Sequence, residues 1–138
     1  EVFPAETEPS AAKRLLFCSG KVYYDLLKAR EELDNPAEVA IARLEQFYPF
    51  PDEDIAAELK RFGHVQDIRW VQEEPQNMGA WTFVQPRFNA LIKAQHDDSC
   101  VQLAYVGRVA SASPATGSAR VHAAQQERIV SEALTVEG

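Results

Sequence analysis

Residues 14–31 read RLLFCSGKVYYDLLKARE, and their hydrophobic period changes midway. Arg14 to Cys18 is a short apolar run that stops at Ser19-Gly20, as a buried strand does at a turn. From Val22 the period becomes helical, with Val22, Leu26 and Leu27 on one stripe and Asp25, Lys28, Glu31 and Glu32 outside it. Asp34-Asn35-Pro36 closes that helix, because the residue before proline is driven out of helical geometry. The stretch is thus a strand followed at once by a helix.

Downstream the unit recurs. Val39 to Glu45 reads as a second strand. The acidic run Asp52-Glu53-Asp54 then sits where a helix start favours negative charge, Ile55, Leu59 and Phe62 form the stripe, and Gly63 is the stop. Asp67 to Gln72 is a third strand, with a loop over Glu73 to Gly79 and a helix from Ala80 to Gln95 that Pro86 is expected to bend. Val101 to Val106 is a fourth strand. The last helix runs from Ser118 to Leu134 with Val121, Ile129, Val130 and Leu134 as its stripe. Four strand–helix units imply an α/β three-layer sandwich, a mostly parallel sheet covered by helices on both faces. Residues 1–13 read as a linker with two prolines, in which Val2 to Glu6 is a candidate edge strand that tolerates Pro4. Residues 14–138 form the domain.

Composition narrows the function classes. An apolar fraction of 46% and a charged fraction of 25% over 138 residues are those of one average globular domain. The net charge of −7 with no basic stripe disfavours a nucleic-acid surface. No apolar run approaches the roughly 20 residues of a membrane helix. Cys18 and Cys100 are too few for a disulfide framework and read as buried thiols. The first residue, Glu1, is expected to mark a processed chain or a piece of a longer one.

In a parallel sheet ligands sit beyond the carboxyl ends of the strands, so four loops matter here. Ser19-Gly20-Lys21 places a hydroxyl, a flexible backbone and a cation at a helix start. Arg108 with the segment Ser111 to Ser118, including Thr116, offers hydroxyls and backbone N–H groups at another. Ser19, Lys21, Arg108 and Thr116 are therefore the candidate anion site, although neither segment is a phosphate-loop motif and helix capping also explains them. Glu73-Glu74-Pro75 brings two carboxylates together, but neighbours in an extended chain point to opposite faces, so an opposed acid/base pair is not expected. With Asn77 and Trp81 they read instead as an interface, to which Tyr48 and Phe50 contribute aromatic side chains from their own loop. His64, His96 and His122 have no metal-ligand spacing.

Taken in order, FCSGKVYYDLLKARE (17–31), VAIARLEQFYPFP (39–51), WVQEEPQNMGAWTFVQPRF (70–88) and YVGRVASASPATGSARVHAAQQERIVSEAL (105–134) resemble the C-terminal domain of the decarboxylating component of 2-oxoglutarate dehydrogenase, in forms closer to its bacterial members. The resemblance implies a transketolase C-terminal-like fold of four to five strands with one antiparallel edge strand. It implies a full-length cytoplasmic enzyme that uses thiamine diphosphate and Mg to decarboxylate 2-oxoglutarate and passes succinyl to lipoyl groups in the citric acid cycle. That enzyme would be a homodimer working with dihydrolipoyl succinyltransferase and dihydrolipoyl dehydrogenase, with no nucleic-acid or membrane partner. Its cofactor and catalytic groups would lie in other domains, so these residues are expected to hold no cofactor, carry out no turnover, support the dimer and pack on the rest of their own chain. Some members bind acetyl-coenzyme A as an activator; were that carried over, Lys21 with Ser19 would be the first place to look, since a cation and small residues at a helix start suit a phosphate. The same domain of a 2-oxoadipate dehydrogenase shares the string QEEPQNMG (72–79). A free-standing α/β small-ligand binder with a pocket beyond Ser19 and Thr116 is the rival of a different class.

Overall fold

A computed structural model describes residues 2–96, 100–110 and 119–136. Its strands are β1 (Val2–Phe3), β2 (Arg14–Cys18), β3 (Val39–Leu44), β4 (Asp67–Pro75) and β5 (Ala104–Arg108), and its helices α1 (Val22–Arg30), α2 (Asp52–Arg61), α3 (Trp81–Gln95) and α4 (Ala119–Leu134). They form one sheet in the order β1-β3-β2-β4-β5, with β1 antiparallel to β3 and every other pairing parallel. This is the three-layer α/β architecture with an antiparallel edge strand that the sequence implies.

Alternation along the central strands divides the core. Leu15, Phe17, Ala40, Ala42, Ile68 and Trp70 face α2 and α3, where Ile55, Leu59, Phe62, Phe88 and Ile92 meet them. Leu16, Cys18, Val39, Ile41, Val71 and Val106 face α1 and α4, with Val22, Leu26, Ile129 and Leu134. Strands covered on both faces carry apolar residues at consecutive positions, which is why β2 is buried throughout.

Several details depart from the sequence expectation, and the edge strand β1 ends at Phe3 rather than Glu6. β4 continues through Glu73, Glu74 and Pro75, because Pro75 pairs with Arg108 beyond a bulge and Gln76 N–H donates to Arg108 O at 3.1 Å. β5 begins at Ala104 instead of Val101, since Leu103 N–H is taken by Asn89 Oδ1 at 2.7 Å and is lost to the ladder. Val121 is exposed near the start of α4, ahead of Ile129, where the helix first becomes buried. Cys18 is buried as expected, and burial pushes its thiol pKa up, whereas Cys100 is exposed.

At the amino ends of the strands Arg14 is 4% exposed. Its Nε donates to Asp67 Oδ2 at 2.8 Å, and its Nη1 donates to Glu132 O (3.2 Å) and Ala133 O (2.9 Å), capping the end of α4. Arg69 Nε donates to Asp67 Oδ1 at 2.8 Å. Partial burial works to raise the Asp67 pKa, but the bonds from Arg69 and Arg14 outweigh it and hold the carboxyl below its ordinary value. A depressed carboxylate contributes stability above its unfolded pKa and loses it as pH falls through the folded one. Stability should therefore decline as pH drops below about 4, and less steeply in Asp67→Asn, in urea titrations at stepped pH. Arg14→Ala, which removes the buried partner of a partly exposed carboxylate and a helix cap, is expected to cost about 2 kcal/mol in the same assay at neutral pH.

Candidate functional site

Cys18, Leu44, Pro75 and Arg108 end the four parallel strands on one side of the molecule, so the loops that follow them form a single rim. At its centre is Gln72, 3% exposed on the α3 face of β4. Gln72 Nε2 lies 3.2 Å from Glu74 O and 2.9 Å from both Pro75 O and Met78 O. Its Oε1 accepts from Trp70 Nε1 and from Trp81 N–H, both at 3.0 Å. One side chain thus closes the loop on itself and ties the first turn of α3 to the sheet. Gly79 makes the return possible at φ +67°, where a Cβ would come within 3.0 Å of Glu74 Cβ and 3.3 Å of Gln72 Nε2. Trp81 rests on Tyr105 with ring centroids 5.2 Å apart, and the Tyr105 hydroxyl donates to Arg108 O at 2.5 Å. Burial pushes the Tyr105 pKa up to about 12.

The expected interface residues separate into two groups. Tyr48 is 90% exposed, and Asn77 and Glu74 are also exposed. Phe50 turns inward, with its ring 6.0 Å from Phe83 and 5.9 Å from Phe88, and Trp81 is half-buried at the head of α3. Glu73 and Glu74 point to opposite faces. Glu73 Oε1 accepts from Gln126 Nε2 at 2.8 Å, and the same nitrogen donates to Asp25 Oδ2 at 2.9 Å, joining β4, α4 and α1. Two carboxylates so arranged do not form an opposed acid/base pair.

Of the candidate anion site, Ser19, Lys21 and Arg108 lie on the rim, while Thr116 falls outside the described residues. The Gly20 N–H between Ser19 and Lys21 donates to Glu45 Oε1 at 3.3 Å, so a carboxylate of the protein already occupies that backbone donor. Arg43 Nε lies 3.2 Å from the same oxygen. The Arg43 guanidinium also stacks on Phe3 (4.2 Å), Tyr23 (5.0 Å) and Tyr24 (5.7 Å) and donates from Nη1 to Tyr24 Oη at 2.8 Å. His64 bonds Ala12 O at the other end of the sheet, and His122 is exposed on α4.

Exposure divides the two ends of the sheet sharply. Among the described residues the large hydrophobic side chains left exposed are Phe3, Tyr24, Tyr48, Val109 and Val121. Phe3 pairs with Arg43 near the end of β3, Tyr24 and Val121 sit in the first turns of α1 and α4, and Tyr48 and Val109 follow β3 and β5. Every one is on the carboxyl-end rim. The sequence reading did not single out Gln72, Arg43 or Glu58; each is a polar residue inside an apolar pattern, and that irregularity is the signal they leave. Among the described residues no three His, Cys, Asp or Glu side chains group to hold a metal ion.

A family model described as 2-oxoglutarate dehydrogenase C-terminal matches residues 2–134. The 2-oxoglutarate dehydrogenase E1 component of Haemophilus influenzae is 47% identical over 130 residues, covering 94% of this chain and 13% of that protein. The protein of the same name from Azotobacter vinelandii is 43% identical over 94% of this chain and 13% of its own length. The mitochondrial 2-oxoglutarate dehydrogenase of Caenorhabditis briggsae is 41% identical over 96% of this chain and 12% of its own. The chain therefore spans about an eighth of these relatives. A solved structure titled a split gene transketolase, inactive beta4 tetramer, aligns with TM-score 0.58 at 10% identity, covering 97% of this chain and 42% of that one, a likeness of fold.

Gln72→Leu keeps the volume but orphans the carbonyls of Glu74, Pro75 and Met78 and two N–H donors. It is expected to lower unfolding stability in urea by about 2–4 kcal/mol. A loss below about 0.5 kcal/mol would mean that the loop holds its shape without this side chain.

Proposed function

Because the chain belongs to the 2-oxoglutarate dehydrogenase C-terminal family, we propose that it is the docking and dimer-supporting domain of a thiamine-diphosphate-dependent 2-oxoglutarate dehydrogenase, and that the carboxyl-end rim of its sheet is covered by the rest of that enzyme. The observation that carries this reading is the one-sided exposure of Phe3, Tyr24, Tyr48, Val109 and Val121. Exposed aromatic and aliphatic side chains rimmed by polar ones mark protein interfaces. The loop bound by Gln72 supports the same reading, because a surface whose backbone is already satisfied loses little conformational entropy on docking. The interface would take Tyr48, Glu74 and Asn77 as outward contacts, with Phe50, Glu73 and Trp81 behind them as support.

In this reading the full-length enzyme decarboxylates 2-oxoglutarate and transfers succinyl to the lipoyl groups of dihydrolipoyl succinyltransferase, with dihydrolipoyl dehydrogenase completing the complex in the cytoplasm. Residues elsewhere in the enzyme bind thiamine diphosphate and magnesium and perform the chemistry, and this domain holds those residues in a working dimer. The names of the relatives favour 2-oxoglutarate over 2-oxoadipate. The donor set also favours a role in assembly over one in catalysis, since the paired carboxylates Glu73 and Glu74 diverge. An acyl-coenzyme A phosphate at Ser19, Lys21 and Arg108 would have to displace Glu45 from the Gly20 N–H.

The test is a charge placed on the rim of the full-length enzyme. Tyr48→Asp with Val109→Asp changes two side chains that are 90% and 76% exposed, so the domain itself should fold normally. In the intact enzyme the pair is expected to weaken dimerisation and 2-oxoglutarate turnover by about tenfold or more. Asp34→Lys with Gln66→Lys, at the opposite end of the sheet, should leave both unchanged. Full activity and an intact dimer in the first variant would overturn the assignment.

A further inference from the structure

Residues 2–7 cross the open edge of β3 and the flank of α2. Val2 and Phe3 pair with Leu44 and Arg43 and then leave the ladder at Pro4. Beyond that point a side-chain pair replaces the strand. Ala5 N–H donates to Glu58 Oε2 at 3.1 Å, and Ala5 O accepts from Arg61 Nη2 at 3.2 Å. Glu58 Oε1 in turn accepts from Arg61 Nη1, so carboxylate and guanidinium close a ring around both polar groups of one residue. In an extended chain the N–H and C=O of a residue point the same way. A salt-bridged Glu–Arg pair thus offers that residue the acceptor and donor that a neighbouring strand would have supplied. Glu58 is 3% exposed and sits in the apolar stripe of α2 between Ile55 and Leu59, a costly place for a carboxylate unless it is paired and hydrogen-bonded.

Recognition here falls on the backbone, with one side-chain requirement. The Ala5 methyl is 3% exposed and joins the core, whereas Phe3 is partly exposed above Arg43. Further along, Thr7 Oγ1 accepts from Arg30 Nη2 at 2.7 Å. Between these fixings Phe3, Pro4 and Glu6 turn towards solvent, while Ala5 and Thr7 are buried. An open surface groove of about 530 Å3 is lined by Phe3, Pro4, Ala5 and Glu6 on one side and by Tyr23, Tyr24 and Arg43 on the other. A smaller space of about 60 Å3 lies between Glu6 and Thr7 and Leu27 and Ile41. A strip held by a two-residue ladder and a few polar points, with Phe3, Pro4 and Glu6 in solvent, has the low local stability of an element that opens separately from its core.

We infer that Glu58 and Arg61, with the free edge of β3, form a backbone-reading clasp for an extended segment, occupied by residues 2–7 of the same chain, and that the clasp opens as a unit while the sheet stays folded. Opening uncovers the β3 edge and the Arg43 guanidinium beneath Phe3. It also frees the polypeptide that leads into the domain, so the domain gains a hinge at the edge of its docking face. The inference concerns the segment, whose Phe3 is also one of the exposed rim side chains.

Hydrogen exchange with mass-spectrometric readout on the 138-residue chain tests it. In the unmodified chain the amides of Ala5, Glu6 and Thr7 should exchange faster than those of Leu15 to Cys18 and Ile68 to Val71. Glu58→Leu suits the apolar stripe but cannot accept from Ala5, and it should speed exchange at Ala5 to Thr7 by about tenfold or more with the two central strands unchanged. Arg61→Met, altered on the solvent side of α2, should do the same and covers the case in which Glu58→Leu fails to fold. If residues 5–7 exchange in step with the central strands in the unmodified chain, or keep their protection in Arg61→Met, there is no separately opening clasp.

Discussion

Gln72 decides the form of the functional end of the molecule. A parallel strand that stops at a sheet's carboxyl end leaves peptide groups without a ladder partner, and a buried one costs about 1–3 kcal/mol if it stays unsatisfied. β4 is the longest strand and overruns its neighbour β2, so its last residues have the greatest need. Gln72 meets that need with one amide, donating towards three carbonyls and accepting from the Trp70 indole and the first N–H of α3. The return of the chain at Gly79 and the stacking of Trp81 on Tyr105 go with the loop lying where this amide holds it. The rim therefore has a set shape before anything docks on it.

The two ends of the sheet are finished by different chemistry. At the amino ends Arg14 and Arg69 share Asp67, and Arg14 also caps α4, giving a polar closure with no large hydrophobic group exposed among the described residues. At the carboxyl ends backbone needs are met internally, by Gln72 for β4 and by Glu45 at Gly20, while apolar side chains are left facing outward. An end that satisfies its polar groups and exposes its apolar ones is suited to contact protein rather than water. That difference is the basis of the proposed docking role, for a chain that spans about an eighth of its relatives.

Much of the fold was legible in residues 14–31, because a strand covered on both faces and an amphipathic helix leave different periods in the sequence. The rim loops were legible for the same reason, since each begins where an apolar run ends. The limits of β4 and β5 were not, because Pro75 and Leu103 are assigned by partners from elsewhere in the chain, Arg108 for one and Asn89 for the other. Phe50 and Tyr48 sit two residues apart with similar composition around them, yet only the packing of Phe83 and Phe88 turns one inward and leaves the other out. Gln72 and Glu58 escaped notice because a buried polar residue reveals its purpose only through the groups that tertiary structure brings to it.

The most direct test of the docking account compares amide exchange in the 138-residue chain with exchange of the same residues in the intact enzyme. Added protection should concentrate in the loops after the strands, at residues 19–24, 45–50, 76–80 and 108–110, and be absent from residues 31–38 and 62–66 at the other end. Equal protection at both ends, or protection gained only at the amino ends, would contradict it.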